Sequence, residues 1–289
     1  MSRCVEVRRA RPLLGTIVEI TAGGADRHTL ERAVARAFDA VARVHRLMSF
    51  HEVGSDVSRL NRDAVRVPVA VDAWTHRVLR AAQRIAARTD GLFDCTVAPS
   101  LVRWGYLPPH RFGRRADGTW RDIACLSGRR VRFRRPLCID LGGIAKGFAV
   151  DCAVEALAAS GASRGVVNAG GDLRLFGPSR RRVHLRRPER PHRLLRLGAF
   201  RETALATSAT YFTAKTMRRR RVSPLVDPRS RRALTDRRSV SVFARSCLLA
   251  DALTKPALLS DHPSALLRRF NARAVMLDSV RRRSVRHAH

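Results

Sequence analysis

The chain has 289 residues, 57 Lys+Arg against 24 Asp+Glu, a formal net charge of +33 and 45% hydrophobic residues. That is enough apolar material for a packed core, and no stretch approaches the about 18 unbroken apolar residues of a membrane helix, so no membrane span is expected. Charge of this size points first to nucleic acid, but aromatics make up only 6% and do not interleave with the basic runs, so the stacking platforms of single-strand binders are missing.

In chain order, LLGTIVEI (13–20) alternates apolar and polar and predicts a strand. Leu30, Val34, Phe38, Val41, Val44 and Met48 recur at helical spacing, so 29–48 predicts an amphipathic helix with its arginines in water. A second helix is expected from Asp72 as N-cap through Trp74, Val78, Ala82 and Ile85, ending before Gly91. Residues 107–136 are rich in Pro, Gly and Arg, with RRADG as a turn between two short strands, and VRFRRPLCIDL leads on as a strand. FAVDCAVEALAAS predicts a helix stopped by Gly161, and GVVNAGGDLRLFG a strand broken by a glycine pair. SVSVFA (239–244) is a further strand, CLLADALTK a helix that Pro256 must end or kink, ALLRRFNA a helix and AVMLD a strand. RRRSVRHAH (281–289) reads as a disordered basic tail. Helices and strands intermix without a βαβ rhythm, which predicts an α+β fold, and 1–289 reads as one domain.

Arginine stands in for lysine almost everywhere, in runs such as 180–182 and 218–221, and only Lys146, Lys215 and Lys255 are lysines. This is a compositional habit, and it implies weak, salt-sensitive polyanion binding without a specific nucleic acid partner. The same field favours a small anionic substrate. Six scattered cysteines form no C-x-x-C pair and read as reduced, buried thiols. Charges fall where a secretory apolar region would lie, so a cytoplasmic location is expected.

Why a rare lysine falls in DLGGIAKGFAVD (140–151) is the sharpest question the sequence raises. A Gly-Gly turn after a strand and before a helix lets backbone approach a ligand, and its amides with the helix N-terminus make an anion site that Lys146 would complement. A plain turn with a solvated lysine accounts for the spacing equally well. In GLFDCTVAPSLVRWGY, Phe93 and Asp94 read as a core aromatic beside a capping aspartate. In ADALTK, Asp251 and Lys255 lie one helical turn apart, an ordinary ion pair. Alternatively, a carboxylate on so apolar a helix seeks a cation, either Mg²⁺ or Lys255 itself.

RPLLGT, MSFHEVGSDVSRLN, GLFDCTVAPSLVRWGY, DLGGIAKGFAVD, VNAGGDLRLFG, ATSATYF, SPLVDP and ADALTK follow one another from about Arg11 to about Asp278. In order and interval they resemble the ApbE family of FAD:protein FMN transferases. The resemblance implies an α+β unit of mixed and antiparallel sheets that binds FAD with Mg²⁺ at its pyrophosphate. It implies transfer of FMN to a Thr or Ser hydroxyl of an acceptor flavoprotein, with release of AMP. Leu14 and His51 would border the flavin, Phe93 and Asp94 the adenosine, and Asp140 and Lys146 the cofactor. Gly143, Asp251 and Thr254 would hold the metal, with Asp251 and Lys146 serving catalysis. Three positions depart from the family's pattern: His51 replaces its usual Tyr, Lys255 its metal-binding Thr, and Pro224 the His before I-x-D-P. Either Asp251 keeps Mg²⁺ with Gly143 and Thr254, or Lys255 replaces the metal in a flavin-binding protein with weakened transfer.

Overall fold

Alternation of apolar residues builds the main sheet. The computed structural model describes residues 5–109, 117–187, 192–210, 213–236 and 238–278. Its strands are β1 (Val5–Leu13), β2 (Thr16–Gly24), β3 (Val69–Ala70), β4 (Ile123–Cys125), β5 (Arg130–Phe133), β6 (Arg164–Ala169), β7 (Asp172–Phe176), β8 (Arg181–Arg186), β9 (Leu194–Phe200), β10 (Ala204–Ala209), β11 (Lys215–Met217), β12 (Arg220–Val222), β13 (Arg238–Ala244) and β14 (Arg273–Asp278). Its helices are α1 (Arg27–Met48), α2 (Asp56–Asp63), α3 (Ala73–Arg88), α4 (Ala98–Arg103), α5 (Ala145–Ala159), α6 (Cys247–Leu259) and α7 (Pro263–Arg268).

Seven strands pair antiparallel in the order β1-β2-β6-β7-β10-β13-β14. Val18, Ile20, Val167, Val240 and Val242 point to one face, where α1, α5 and α6 cover them. The opposite pleat sends Leu175, Leu205 and Phe243 to the other face, against Val183 and Leu185 of the β8-β9 hairpin. Strand period two therefore splits the apolar residues between a large core and a smaller one. The expected α+β class is what the chain adopts.

Helix α1 buries Leu30, Val34, Phe38, Val41, Val44 and Met48, the stripe that its spacing predicts, and Asp26 caps its start by accepting from Thr29 N–H at 2.7 Å. Asp72 caps α3 as expected, accepting from Trp74 N–H at 2.8 Å. Gly161, at φ +95°, ends α5.

Other expectations require correction. LLGTIVEI is no single strand: Leu14 (φ 56°) and Gly15 (φ 69°) turn the chain between β1 and β2. The two-residue connection sets Leu13 opposite Thr16, so odd residues of β1 share a face with even residues of β2, and the buried Val7 lies opposite Ala22. The glycine pair at 170–171 likewise makes a hairpin turn between β6 and β7. RRADG falls partly on 114–116, outside the described residues. The turn joining β4 and β5 runs instead through Gly128 and Arg129, both at positive φ. VRFRRPLCIDL is a strand only to Phe133. Its later part is fixed by the Asn61 amide, which accepts from Ile139 N–H at 2.8 Å and donates to Ile139 O at 3.0 Å. Of the two outcomes expected of Pro256, an end or a kink, the end does not occur: α6 runs on to Leu259 and closes with Ser260 N–H on Pro256 O at 2.9 Å. The helix foreseen in ALLRRFNA spans Pro263–Arg268. The tail at 281–289 lies outside the described residues, among which no helix is long and apolar enough to cross a membrane.

Candidate active site

The turn after β1, the segment following α1, the loop before α4, the start of α5 and the middle of α6 converge on one cleft of about 960 Å³, the size of a cofactor pocket. Leu14, His51, Phe93, Asp94, Asp140, Gly143, Lys146 and Asp251 all line it, as do Pro224 and Lys255. Thr254 does not. It is fully buried and its hydroxyl donates to Asp251 O at 2.7 Å and pairs with Ser208 Oγ at 2.8 Å.

α6 is aimed by its first turn. Asp151, on α5, accepts from Cys247 N–H and Leu248 N–H, each at 2.9 Å, and from Arg174 Nη1 at 2.6 Å. Ser246 Oγ takes Leu249 N–H at 3.3 Å. Three of the helix's free amides are thus matched by side chains. Where the two helices meet, Gly147 N–H donates to Asp251 Oδ2 at 3.2 Å. An ideal Cβ on Gly147 would lie 2.6 Å from the Cys247 carbonyl carbon, so only glycine allows this approach.

Three charged side chains line the floor, Lys146, Asp251 and Lys255, and a fourth, the buried Asp172, pairs with Lys146. Lys146 Nζ donates to Asp172 Oδ2 at 2.9 Å. Lys255 Nζ donates to Asp251 Oδ1 at 2.5 Å, to Asp251 O at 2.9 Å and to Gly143 O at 3.0 Å. Both carboxylates are 2% exposed, so their hydration is gone and the ammonium groups replace it. Burial pushes Asp172 up to about 6, helped by the neighbouring Asp251 and opposed by Lys146. Burial also works to raise Asp251, but Lys255, Lys146 and the Gly147 N–H outweigh it and hold that carboxyl below its ordinary value. For Lys146 burial works downward, and Asp172 and Asp251 more than offset it, leaving the ammonium well above its usual range.

Nearer the rim, Asp94 accepts from Thr96 N–H at 2.9 Å and Trp120 N–H at 3.0 Å, and burial raises its carboxyl. It caps the short turn at Cys95–Val97, the modest role its sequence context allows. Asp140, below the glycine turn, is also raised by lost hydration, against the pull of the Gly142 N–H and of His51. Lys215 lies 4.3 Å above the ring of Tyr106, which lines the cleft, and donates to Gly105 O at 2.9 Å. Sequence reasoning missed Asp172, although it directly follows the glycine pair of VNAGGD, and missed Tyr106, within a quoted motif.

The oxygens that the resemblance assigns to Mg²⁺ do not fit that ion here. Mg²⁺ needs oxygens at about 2.1 Å in octahedral array, and the Lys255 ammonium already bonds Asp251 Oδ1 and Gly143 O. Thr254, the third expected ligand, turns its hydroxyl to Ser208 and the Asp251 carbonyl. No cluster of three or more His, Cys, Asp or Glu suited to a metal occurs among the described residues.

Residues 14–276 match the ApbE family. The chain belongs to the ApbE family. It is similar to the FAD:protein FMN transferase of Vibrio cholerae, at 30% identity over 86% of this chain and 79% of that protein. A second such transferase, from Rhodobacter capsulatus, is 28% identical over 83% of this chain, which spans only 49% of that relative. In structure the chain resembles the flavin transferase ApbE of V. cholerae, with a TM-score of 0.78 at 26% identity and coverage of 94% and 93%. The ApbE protein of Thermotoga maritima shares the fold, with a TM-score of 0.80 at 24% identity over 94% of each chain.

Proposed function

We propose that this ApbE-family chain is an FAD:protein FMN transferase acting in the cytoplasm. It binds FAD in the cleft and transfers the FMN half to a Thr or Ser hydroxyl of an acceptor flavoprotein. One observation carries the reading: Leu14, His51, Phe93, Asp94, Asp140 and Lys146, drawn from four separate motifs, line a single cleft.

In this reaction the acceptor oxygen bonds to the flavin-side phosphorus, the phosphoanhydride bond breaks, AMP leaves with the bridging oxygen, and the acceptor proton passes to solvent. Such chemistry asks the protein for positioning and charge neutralisation more than covalent work. The cleft supports both. The apolar walls at Leu14 and Phe93 suit the two ring systems, and Lys146 presents a cation beside the α5 N-terminus, where a diphosphate is favoured. Asp251 acts by holding Lys255 and the Gly147 amide in place. The reading contains no Mg²⁺ step, because the oxygens expected to ligate it are bonded to Lys255.

Incubation with FAD and a flavoprotein bearing an acceptor threonine, followed by in-gel flavin fluorescence, tests the proposal. A covalent fluorescent band with matching AMP release is expected. Its absence beside an active relative refutes transfer. Pro224 favours a second reading, a flavin-binding protein without efficient transfer, since a proline side chain in the cleft offers no proton acceptor. Tight FAD binding without AMP release selects it.

A further inference from the structure

We propose that Lys255 is the resident cation of the cleft, so that this chain binds an anionic diphosphate without a divalent metal. The inference rests on the transferase reading for the choice of FAD as ligand, though not for the cation itself.

The geometry is that of a cation held by oxygen. Lys255 Nζ meets three acceptors, Asp251 Oδ1 at 2.5 Å, Asp251 O at 2.9 Å and Gly143 O at 3.0 Å. An ammonium has three donors and no lone pair, so these oxygens saturate it, and it fills the space between Asp251 and Gly143 O where a metal would sit. Its side chain is 17% exposed and Asp251 2%, so the pair is not a solvated surface contact.

Two further features fit a built-in lysine. Gly143 has no side chain where one would crowd the lysine: a Cβ there would stand 3.2 Å from Lys255 Cε. Thr254, the neighbouring hydroxyl on α6, is engaged elsewhere, with Ser208 and the Asp251 carbonyl. The three oxygens that the resemblance assigns to a metal, on Gly143, Asp251 and Thr254, are therefore already bonded.

The consequence concerns charge. Lys146 and Lys255 offset Asp172 and Asp251, and Asp140 lies beneath the same glycine turn. A diphosphate entering beside Lys255 meets a fixed ammonium, already paired with Asp251, that chelators cannot remove. It gains less neutralisation than a divalent ion gives, and it loses the metal's dependence on solution conditions.

Isothermal titration with two probes, FAD and inorganic pyrophosphate, in EDTA and in excess Mg²⁺, tests this. Wild-type affinity is expected to be equal in both buffers, and a loss of about tenfold or more in EDTA overturns the proposal. Lys255→Thr frees Asp251 and Gly143, so its affinity is expected to fall in EDTA and to recover by about tenfold or more with Mg²⁺. No recovery overturns the claim that Lys255 occupies a metal's place. Lys255→Arg, which keeps the charge if Lys255→Thr folds poorly, should bind without Mg²⁺, and a Mg²⁺ requirement in it counts against the proposal. Titration of Mn²⁺ alone reads the cation site without any nucleotide. One Mn²⁺ per chain in Lys255→Thr and none in wild type supports the inference, and stoichiometric Mn²⁺ in wild type overturns it. If pyrophosphate binds in EDTA while FAD does not, the resident cation stands and the transferase reading falls. If neither probe binds, both fall.

Discussion

Asp151→Asn is the perturbation whose cost the structure defines best. The carboxylate joins α5 to the start of α6: Oδ1 accepts Cys247 N–H and Arg174 Nη1, and Oδ2 accepts Leu248 N–H. Asparagine keeps one acceptor and sets an amide donor where Oδ2 stood, so one buried N–H faces another donor. An unmet buried amide costs about 1–3 kcal/mol. Loss of negative charge at a helix N-terminus, beside an arginine that is 27% exposed, adds about 0.5–1 kcal/mol. The expected destabilisation is therefore about 1.5–4 kcal/mol, which moves a urea midpoint by about 0.5–1.3 M for a slope near 3 kcal/mol/M. Equilibrium urea unfolding followed by circular dichroism measures it. A loss below about 0.5 kcal/mol would refute the idea that this carboxylate anchors the helix carrying Asp251 and Lys255.

Three further outcomes are expected. Gly147→Ala improves helix propensity by about 1 kcal/mol, but its Cβ meets Cys247 backbone, and overpacking costs about 1–3 kcal/mol or more against rigid main chain; calorimetry should show a lower Tm, and an unchanged or higher Tm contradicts the close approach of α5 and α6. Lys146→Met leaves Asp172 buried and unpaired and should cost about 3 kcal/mol, whereas the double change with Asp172→Asn should restore most of the stability without restoring FAD affinity; recovery of both, read by denaturation and titration, would remove Lys146 from the binding site. Asp172 titrates near 3.8 when unfolded and is raised to about 6 in the fold, so its stabilising contribution is complete below the lower value and disappears as pH rises through the upper one. The stability difference between wild type and Asp172→Asn should accordingly shrink from pH 4 to pH 6.5, with Asp251 common to both; a difference that widens with pH would reverse the assigned shift.

Much of the fold could be read directly because long periodic segments declare themselves. α1 and α3 show their buried stripes in sequence, and α3 also its capping Asp72. The β1-β2 hairpin was hidden because Leu14, a non-glycine at positive φ, carries no turn signal. α2 was missed because DVSRLNRD is mostly polar, and what fixes it is the cap Ser55 accepting from Ser58 N–H at 3.0 Å. In the cleft, spacing on one helix made the Asp251–Lys255 pair visible. It could not choose between pair and metal, because the deciding oxygen, Gly143 O, lies 112 residues from the lysine in sequence. The Lys146–Asp172 pair joins residues on α5 and β7, and only the closed sheet brings them together.

The scarcity of lysine gives the cleft a chemical address. Two of the three side-chain amines, Lys146 and Lys255, line it, and Lys215 lies over the ring of Tyr106, which lines it too, while the many guanidinium groups resist mild acylation. Protection of Lys146 and Lys255 from an amine-selective reagent would consequently read occupancy of the cleft. A sample enriched with nitrogen-15 in lysine alone would give main-chain amide signals from three positions, two of them, Lys146 and Lys255, in the wall of the cavity.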